Sequence, residues 1–172
     1  MKHSLLLILV GIITFQRLFE IVISARNRRF ILNKGGKEFG SRHYPLFFIL
    51  HIGWIVGWVS ETYLRNRELD HFWPVWMAIL ILAQSLRFLS MWSLGRFWNT
   101  RILIIPGWKK INTGVYHYLS NPNYLAVILE IAAAPLIFHA WTTAVLVSTF
   151  NFILLVFIRI PAEKKALKLM RP

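Results

Sequence analysis

The chain of 172 residues is 56% hydrophobic, carries a formal net charge of +13 and contains no cysteine. The lack of cysteine excludes disulfide bonds, thiol nucleophiles and thiolate metal sites. Long apolar runs alternating with basic segments are typical of an integral membrane protein, so we expect an all-α polytopic fold with a single domain over residues 1–172.

Five apolar runs predict about five transmembrane helices, since a hydrocarbon core of about 30 Å needs roughly 20 apolar residues per helix. The expected spans are residues 5–24, 44–60, 72–94, 122–138 and 141–158. The first run contains Gln16, Arg17 and Glu20 and has no small-residue cleavage pattern after it, which favours a retained span over a signal peptide. Only His139 and Ala140 separate the last two spans, so these spans are expected to form a helical hairpin.

The basic residues predict the orientation of these helices. Most of the 20 lysines and arginines fall in the first loop, the third loop and the C-terminal tail. Because such residues accumulate on the cytoplasmic side, we expect the N-terminus outside the cell membrane and the C-terminus in the cytoplasm. Positive charge spread over several membrane-adjacent loops indicates attraction to the lipid bilayer, and no recognition motif for nucleic acid accompanies it.

Charged residues also occur inside the predicted spans. Arg17 and Glu20 share one helix face, as do Gln84 and Arg87, and Glu130 lies about two turns inside the fourth span. An ionised side chain at mid-bilayer costs roughly 2.5–3.5 kcal/mol on insertion scales, so these groups need partners or water. We expect the polar stripes to meet around a polar cavity. Either they pair to hold the helices in register, Arg17 with Glu20 and Arg87 with Glu130, or they line a pocket for the polar head of an apolar molecule.

The stretch GVYHYLSNPNY, residues 114–124, sets polar residues directly against the fourth span. Asn121 is a favoured N-cap and Pro122 a favoured first helical residue, so a helix is expected to begin there with its N–H groups facing the cytoplasm. Such an end attracts an anion. Gly114 and Tyr116 supply a turn and an aromatic hydroxyl a few residues earlier. A capped helix preceded by interfacial tyrosines explains the same pattern without a ligand.

Two further segments lie on the same predicted side of the membrane. The apolar patch at 101–106 is too short to cross, and we expect it to lie at the interface or to fold back over the helix ends. Arg159 and Glu163 are four residues apart and share a face if the helix continues past Pro161, where a kink or stop is expected. The hairpin would bring both residues near Asn121, where they could hold a zwitterionic soluble cofactor.

Four short motifs resemble a known family of membrane enzymes in their order and spacing. They are LGRFW at 94–98, GVY at 114–116, NPNY at 121–124, and Arg159 with Glu163. From about residue 75 to 172 the chain resembles the isoprenylcysteine carboxyl methyltransferase family, whose members use S-adenosylmethionine. HYP at 43–45, WNTRIL at 98–103 and RIPAE at 159–163 look like a bacterial branch that includes an alkylpyrone O-methyltransferase encoded beside a type III polyketide synthase.

The resemblance implies a methyltransferase that acts on an oxygen, either a carboxylate or an acidic enol, of a lipophilic acceptor such as an alkylpyrone or another polyketide lipid. It places S-adenosylmethionine in a cytoplasmic pocket formed by Gly114, Tyr116, Asn121, Pro122, Tyr124, Arg159 and Glu163. In this hypothesis the catalytic residues are Arg159, which orients the anionic oxygen, and Glu163, which binds the donor. Trp98, Arg87 and Glu130 are the residues expected on the acceptor side.

The sequence departs from the family pattern at two places. Ser120 and Asn121 stand where the family has Arg-His, and Lys164 stands where it has a second glutamate. Three alternatives therefore stay open: an NADPH-dependent membrane reductase, a phospholipid N-methyltransferase with Glu130 as proton acceptor, and a non-catalytic membrane scaffold. No metal site is expected, because the six histidines show no paired ligand spacing.

Overall fold

The computed structural model describes residues 2–66 and 68–170, and within them the fold is all-α apart from two short strands. The helices are α1 (Lys2–Asn33), α2 (Tyr44–Leu64), α3 (Trp73–Leu94), α4 (Val115–Tyr118), α5 (Pro122–Ile137), α6 (Trp141–Ile153) and α7 (Ile160–Leu167). The strands are β1 (Lys37–Phe39) and β2 (Ile102–Ile104). The expected fold class is confirmed.

Within the described residues, four helical segments are long and apolar enough to cross a membrane. They are His3–Asn33, Ser41–Leu64, Trp73–Phe97 and Trp141–Leu167. The remaining expected span corresponds to α5, whose 16 residues rise only about 24 Å. The described residues therefore form a polytopic membrane protein, with four helices of spanning length and a shorter apolar helix among them.

The core lies where α1, α2, α3 and α5 meet. Trp54 and Trp58 stack with their ring centroids 5.7 Å apart, and the indole N–H of Trp54 donates to the carbonyl of Ile131 at 3.0 Å. Ala133 and Ala134 on α5 are fully buried, and such small residues let neighbouring helices approach closely. Because lipid tails are as apolar as these side chains, close packing holds this core together more than the hydrophobic effect does.

A continuous helical segment runs from α6 into α7, so the stop allowed for at Pro161 is absent. Leu154–Arg159 adopt a wider π-type turn, and Pro161 follows in the first turn of α7. In this wider turn the N–H of Ile160 bonds to the carbonyl of Leu155, five residues earlier, and this altered hydrogen-bond spacing accommodates the missing N–H of Pro161 without ending the helix. Arg159 and Glu163 consequently keep the spacing of one turn and face the same side.

Polar side chains hold the loops at the end of the bundle where α5 finishes. Asp70 accepts hydrogen bonds from the backbone N–H of Phe72 at 2.8 Å and from the indole of Trp76 at 3.1 Å, and it pairs with His139 at 2.9 Å. Burial alone would raise the pKa of Asp70, but these donors outweigh it and hold that pKa below its ordinary value. The carboxylate thus fixes the loop before α3 against the turn between α5 and α6.

At the opposite end, β1 and β2 form a small antiparallel sheet, in which Glu38 pairs with Leu103. Glu38 accepts from Arg101 at 2.6 Å and from Arg28 at 2.8 Å. Burial would raise its pKa, yet these two guanidiniums hold the pKa of Glu38 below its ordinary value. The patch expected at the interface or over the helix ends therefore contributes a strand, whose Ile102 and Ile104 pack against Ala166 of α7.

Candidate active site

The charged residues inside the spans form one buried cluster. Arg17 and Arg87 each bind both Glu20 and Glu130, so four charges cancel in pairs across α1, α3 and α5. Arg87 lies 2.6 Å from the Glu130 carboxylate and 3.3 Å from that of Glu20. The two expected pairs are present, and the cross-pairs join them into a network that links three helices.

Gln16 and Gln84 complete this cluster. Gln16 donates to Glu20 at 3.0 Å and to Gln84 at 2.7 Å, and Gln84 donates to Glu130 at 3.2 Å. Both oxygens of Glu130 therefore accept hydrogen bonds from protein groups. The polar stripes predicted from the sequence do meet. Their side chains bind one another, and neither Arg87 nor Glu130 is among the residues that line the cavity described next.

A cavity of about 250 Å³ lies at the end of the bundle where α5 begins and α7 runs alongside it. We call it the α5–α7 cavity. Its walls include most of the residues that the resemblance assigned to a site, namely Trp98, Tyr116, Asn121, Tyr124, Arg159 and Glu163. Gly114 and Pro122 are not among the lining residues and lie next to Val115 and Asn121 in the chain.

Tyr124, Arg159 and Glu163 form the polar wall of this cavity. The hydroxyl of Tyr124 donates to the Glu163 carboxylate and accepts from Nε of Arg159 at 3.1 Å. Nη2 of Arg159 donates to the backbone carbonyl of Thr100 at 2.8 Å. The described hydrogen bonds leave Nη1 of this arginine available. One wall therefore presents a guanidinium donor and a carboxylate side by side, which suits the two charges of an amino-acid zwitterion.

A hydrogen-bond network that sequence reasoning missed supports Arg159 from behind. Ser24 on α1 binds the hydroxyl of Thr100 at 2.7 Å, and the hydroxyl of Tyr44 lies 3.1 Å from the same Thr100 oxygen. Asn99 donates to the backbone carbonyl of Ser24 at 2.8 Å. Only the match of WNTRIL to the bacterial branch hinted at this stretch. The network fixes the Thr100 carbonyl that Arg159 uses.

Tyr116 reaches the cavity from α4, which begins after Gly114. Gly114 has φ of 59°, and a Cβ at this position would lie 2.2 Å from Oγ of Ser93, so a glycine is required by both conformation and space. Ser93 in turn accepts the backbone N–H of Val115 at 3.3 Å. Burial, with the negative charge of Glu163 added, raises the pKa of Tyr116 to about 12, so its phenol stays neutral near pH 7.

Asn121 occupies the N-cap position of α5 and Pro122 the first turn, as expected, but the asparagine side chain makes no capping hydrogen bond. Its φ of −139° and ψ of 62° place the residue outside the helix, and its side chain lines the cavity instead. The backbone N–H groups of the first turn are therefore not covered by this side chain. That arrangement leaves the amide of Asn121 available to a ligand.

Two buried polar atoms in the cavity wall have no hydrogen-bond partner among the described residues. They are Nε1 of Trp98, a donor, and Oδ1 of Asn123, an acceptor. Buried polar groups are nearly always paired, and unpaired ones at a cavity favour a ligand that supplies the missing atoms. S-adenosylmethionine carries hydroxyl and adenine amino donors for Oδ1 of Asn123, so this wall fits it, and Nε1 of Trp98 can bind an oxygen of either reactant.

The residues that depart from the family pattern have different places in the structure. Ser120 and Asn121 line the cavity, so the replacement of Arg-His changes its wall directly. Lys164 is exposed and is not among the lining residues, although its neighbour Glu163 is. The charge reversal at Lys164 therefore lies outside the cavity.

The chain is similar over most of its length to known bacterial proteins. Residues 76–169 match the isoprenylcysteine carboxyl methyltransferase (ICMT) family. The uncharacterized protein YpbQ of Bacillus subtilis (strain 168) is 37% identical over 161 residues, 94% of this chain and 95% of the relative. An uncharacterized protein of Haemophilus influenzae is 27% identical over 157 residues, 91% of each chain. No solved structure matches the chain significantly.

Proposed function

The chain belongs to the isoprenylcysteine carboxyl methyltransferase family, and from this premise we propose that it transfers a methyl group from S-adenosylmethionine to an oxygen of a lipophilic acceptor. Family membership implies a membrane methyltransferase. The observation that carries the finer proposal is the wall formed by Tyr124, Arg159 and Glu163 in the α5–α7 cavity.

In this proposal, Glu163 binds the ammonium group of the donor, and Nη1 of Arg159 binds the anionic oxygen of the acceptor. The ring of Tyr116 also lines the cavity, where an aromatic face attracts a cation by about 0.5–2 kcal/mol, whereas the ring of Tyr124 already lies 6.0 Å from the guanidinium of Arg159. When bound, S-adenosylmethionine supplies a methyl group on a positively charged sulfur, and the C–S bond breaks, leaving its electron pair on sulfur, as the acceptor oxygen forms the new O–CH₃ bond. The protein itself needs only to position the reactants and exclude water.

An acceptor that is already ionised near neutral pH, such as a carboxylate or an acidic enol, requires no general base. This agrees with the place of Glu130, which the N-methyltransferase alternative would need as a proton acceptor. Both its oxygens accept hydrogen bonds from Arg17, Arg87 and Gln84. We therefore favour O-methylation, with Arg159 orienting the anionic oxygen.

An alkylpyrone or a related polyketide lipid has the required chemistry, since it joins an acidic enol to an apolar tail. We propose it as the acceptor class, with a polyketide synthase as the enzyme that supplies it. A soluble donor and a lipophilic acceptor can meet only at the membrane surface. The proposal accordingly places the α5–α7 cavity and the C-terminus on the cytoplasmic side, with the N-terminus outside.

The first test is the affinity of the detergent-purified protein for S-adenosylmethionine, measured by calorimetry, with NADPH as the competing ligand. Glu163→Gln should weaken binding of S-adenosylmethionine by tenfold or more, since hydrogen bonds to charged groups contribute about 1.5–3 kcal/mol. Lys164→Ala is the matched control, because Lys164 is next to Glu163 in the chain but its exposed side chain lies outside the cavity wall. Binding of NADPH alone would support the reductase alternative, and binding of neither ligand by folded protein would support the scaffold.

The role of Arg159 is tested separately by turnover. Arg159→Ala should abolish methyl transfer to an acidic lipophilic acceptor while the protein still inserts into the membrane. Arg159→Ala also leaves the Thr100 carbonyl and the Tyr124 hydroxyl without their donor, so Arg159→Lys, which keeps a positive charge, is measured as a second variant. Lysine cannot reproduce the forked contacts, and we expect it to retain insertion with only slight turnover. Undiminished turnover in Arg159→Ala would refute the role.

A further inference from the structure

A second cavity, of about 420 Å³, lies between α1 and α3. We call it the α1–α3 groove. Its lining includes Ile23 and Arg26 from α1, Met91 from α3, and Arg96 and Trp98 from the turn that follows α3. Trp98 also lines the α5–α7 cavity, so one indole belongs to both walls. The groove is therefore adjacent to the proposed cofactor site.

The groove combines apolar walls with two exposed cations. Arg26 and Arg96 form no ion pair with any of the described residues, whereas Arg28 two positions along α1 pairs with Glu38. The guanidinium of Arg96 lies 5.2 Å from the centre of the Phe30 ring, an aromatic contact that does not neutralise its charge. Two uncompensated guanidiniums beside Ile23 and Met91 complement an amphiphile with an anionic head and an apolar tail.

Trp98 is held in place from α1. The side-chain amide of Asn27 donates to the backbone carbonyl of Trp98 at 2.7 Å and to that of Gly95 at 3.2 Å. The Trp98 side chain is 2% exposed, and its Nε1 has no acceptor among the described residues. A fixed, buried indole donor at the wall between two cavities requires an oxygen acceptor that a ligand can supply.

We propose that the α1–α3 groove is the path by which the acidic lipophilic acceptor reaches the α5–α7 cavity. Arg26 and Arg96 bind its anionic head at the membrane surface, and the N–H of Trp98 donates a hydrogen bond to its oxygen at the shared wall. The tail lies along Ile23 and Met91. This inference rests on the proposed function for the identity of its occupant, while the anionic chemistry follows from the groove itself.

The test uses palmitate as the anionic probe, its methyl ester as the neutral match and phosphatidylglycerol as the membrane-lipid competitor, with affinities measured in non-ionic detergent. Arg26→Gln combined with Arg96→Gln should weaken palmitate binding at least tenfold. Arg29→Gln is the control, because Arg29 is exposed on α1 outside the groove. Trp98→Phe keeps an aromatic ring and removes the N–H, and we expect it to weaken palmitate binding by about threefold to tenfold.

Photocrosslinking locates the bound tail. A diazirine-bearing palmitate should label peptides of α1 and α3 near Ile23 and Met91 in the wild type and lose this labelling in the double arginine variant. Equal affinity for palmitate and its ester, or unchanged affinity in the double variant, would overturn the proposal. Displacement of palmitate by stoichiometric phosphatidylglycerol would overturn it as well, since the groove would then be a lipid headgroup site.

S-adenosylmethionine binding is measured on the same preparations to separate the two proposals. If the wild type binds palmitate in the groove but not S-adenosylmethionine, the proposed function fails while the anionic site stands. If the wild type binds S-adenosylmethionine but the arginine variants keep full palmitate affinity, the proposed role of the α1–α3 groove is wrong and the proposed function stands.

Discussion

The hydroxyl of Tyr124 donates a hydrogen bond to the carboxylate of Glu163, which joins the first turn of α5 to the first turn of α7. The same hydroxyl accepts from Nε of Arg159 at 3.1 Å. The Tyr124 hydroxyl thus fixes the carboxylate of Glu163 and the guanidinium of Arg159 relative to each other. The position of both charged groups depends on an uncharged residue.

Tyr124→Phe should therefore weaken S-adenosylmethionine binding by about fivefold to tenfold, because losing one contact to each charged group costs about 1–1.4 kcal/mol in all. Calorimetry on the purified variant measures the change. Tyr118→Phe is the matched control, since Tyr118 is 83% exposed and is not among the cavity residues. Equal affinities in the two variants would mean that the Tyr124 hydroxyl does not organise the site.

The proximity of Tyr124 to Arg159 and Glu163 could be anticipated from the sequence, but its atomic form could not. A short connection after α5 returns the chain to the side where α5 begins, and that topology predicts the meeting. The hydroxyl bridge depends on rotamers. The same limit applies to Asn121, whose cap position was predicted correctly while its side chain makes no capping hydrogen bond.

The buried charges were predictable because a membrane leaves few alternatives for them. Arg17 and Glu130 had to find partners, and the structure gives them partners on other helices. In contrast, strands of three residues such as β1 and β2 carry no periodic pattern, so the sheet was not predicted. The support of Thr100 by Ser24 was equally hidden, since single hydroxyl residues far apart in the chain give no signal.

Gly114 offers a test of how tightly α4 must fit beside α3. Gly114→Ala should both strain a backbone with φ of 59° and press a Cβ against Ser93, displacing Tyr116 from the cavity wall. We expect S-adenosylmethionine affinity to fall about tenfold, as 1–3 kcal/mol is typical of such strain. Affinity and thermal unfolding in detergent are measured together.

Gly35→Ala is the control for this variant, because Gly35 also has positive φ, 79°, but nothing lies within 4 Å of its added Cβ. It should lower the unfolding temperature modestly and leave the affinity within twofold of the wild type. If Gly35→Ala weakened binding as much as Gly114→Ala, the effect would be one of general stability and not of the contact with Ser93.

The buried cluster of two arginines and two glutamates predicts that stability depends on equal numbers of positive and negative charges in it. Arg87→Met leaves Glu20 and Glu130 with only Arg17, and breaking a buried pair on one side costs about 3–5 kcal/mol. Arg87→Met combined with Glu130→Leu leaves one arginine and one glutamate. The double variant should therefore unfold at a higher temperature in detergent than Arg87→Met alone.

Arg65→Met provides the comparison, because half-exposed Arg65 lies 3.6 Å from buried Glu61, and that carboxylate keeps its hydrogen bonds from Thr142 and Thr143 when Arg65 is lost. An ion pair with one water-screened partner contributes about 0–1 kcal/mol, so this variant should unfold close to the wild-type temperature. A double variant less stable than Arg87→Met would show that the cluster acts through individual hydrogen bonds and not through its balance of charge.

Asp70 predicts a pH dependence of stability that can be measured as the difference between the wild type and an Asp70 variant. Its pKa in the folded protein lies below the ordinary value, because the donors on Phe72, Trp76 and His139 outweigh burial. A depressed folded-state pKa contributes stability that is complete above the unfolded pKa of about 3.9 and is lost as pH falls through the folded pKa. The contribution should thus be full at pH 7 and should decline below about pH 4.

Asp70→Asn removes the charge and the Oδ2 contact with His139 while keeping an Oδ1 that can accept from both Phe72 and Trp76, so it should lower the unfolding temperature at pH 7. The gap between wild type and variant should narrow as the pH is lowered from 5 to 3, since protonated Asp70 resembles the amide. Other acids with depressed pKa, such as Glu38, titrate in both proteins and cancel in the difference. A gap that stays constant over this range would show that Asp70 acts through its shape and hydrogen bonds alone.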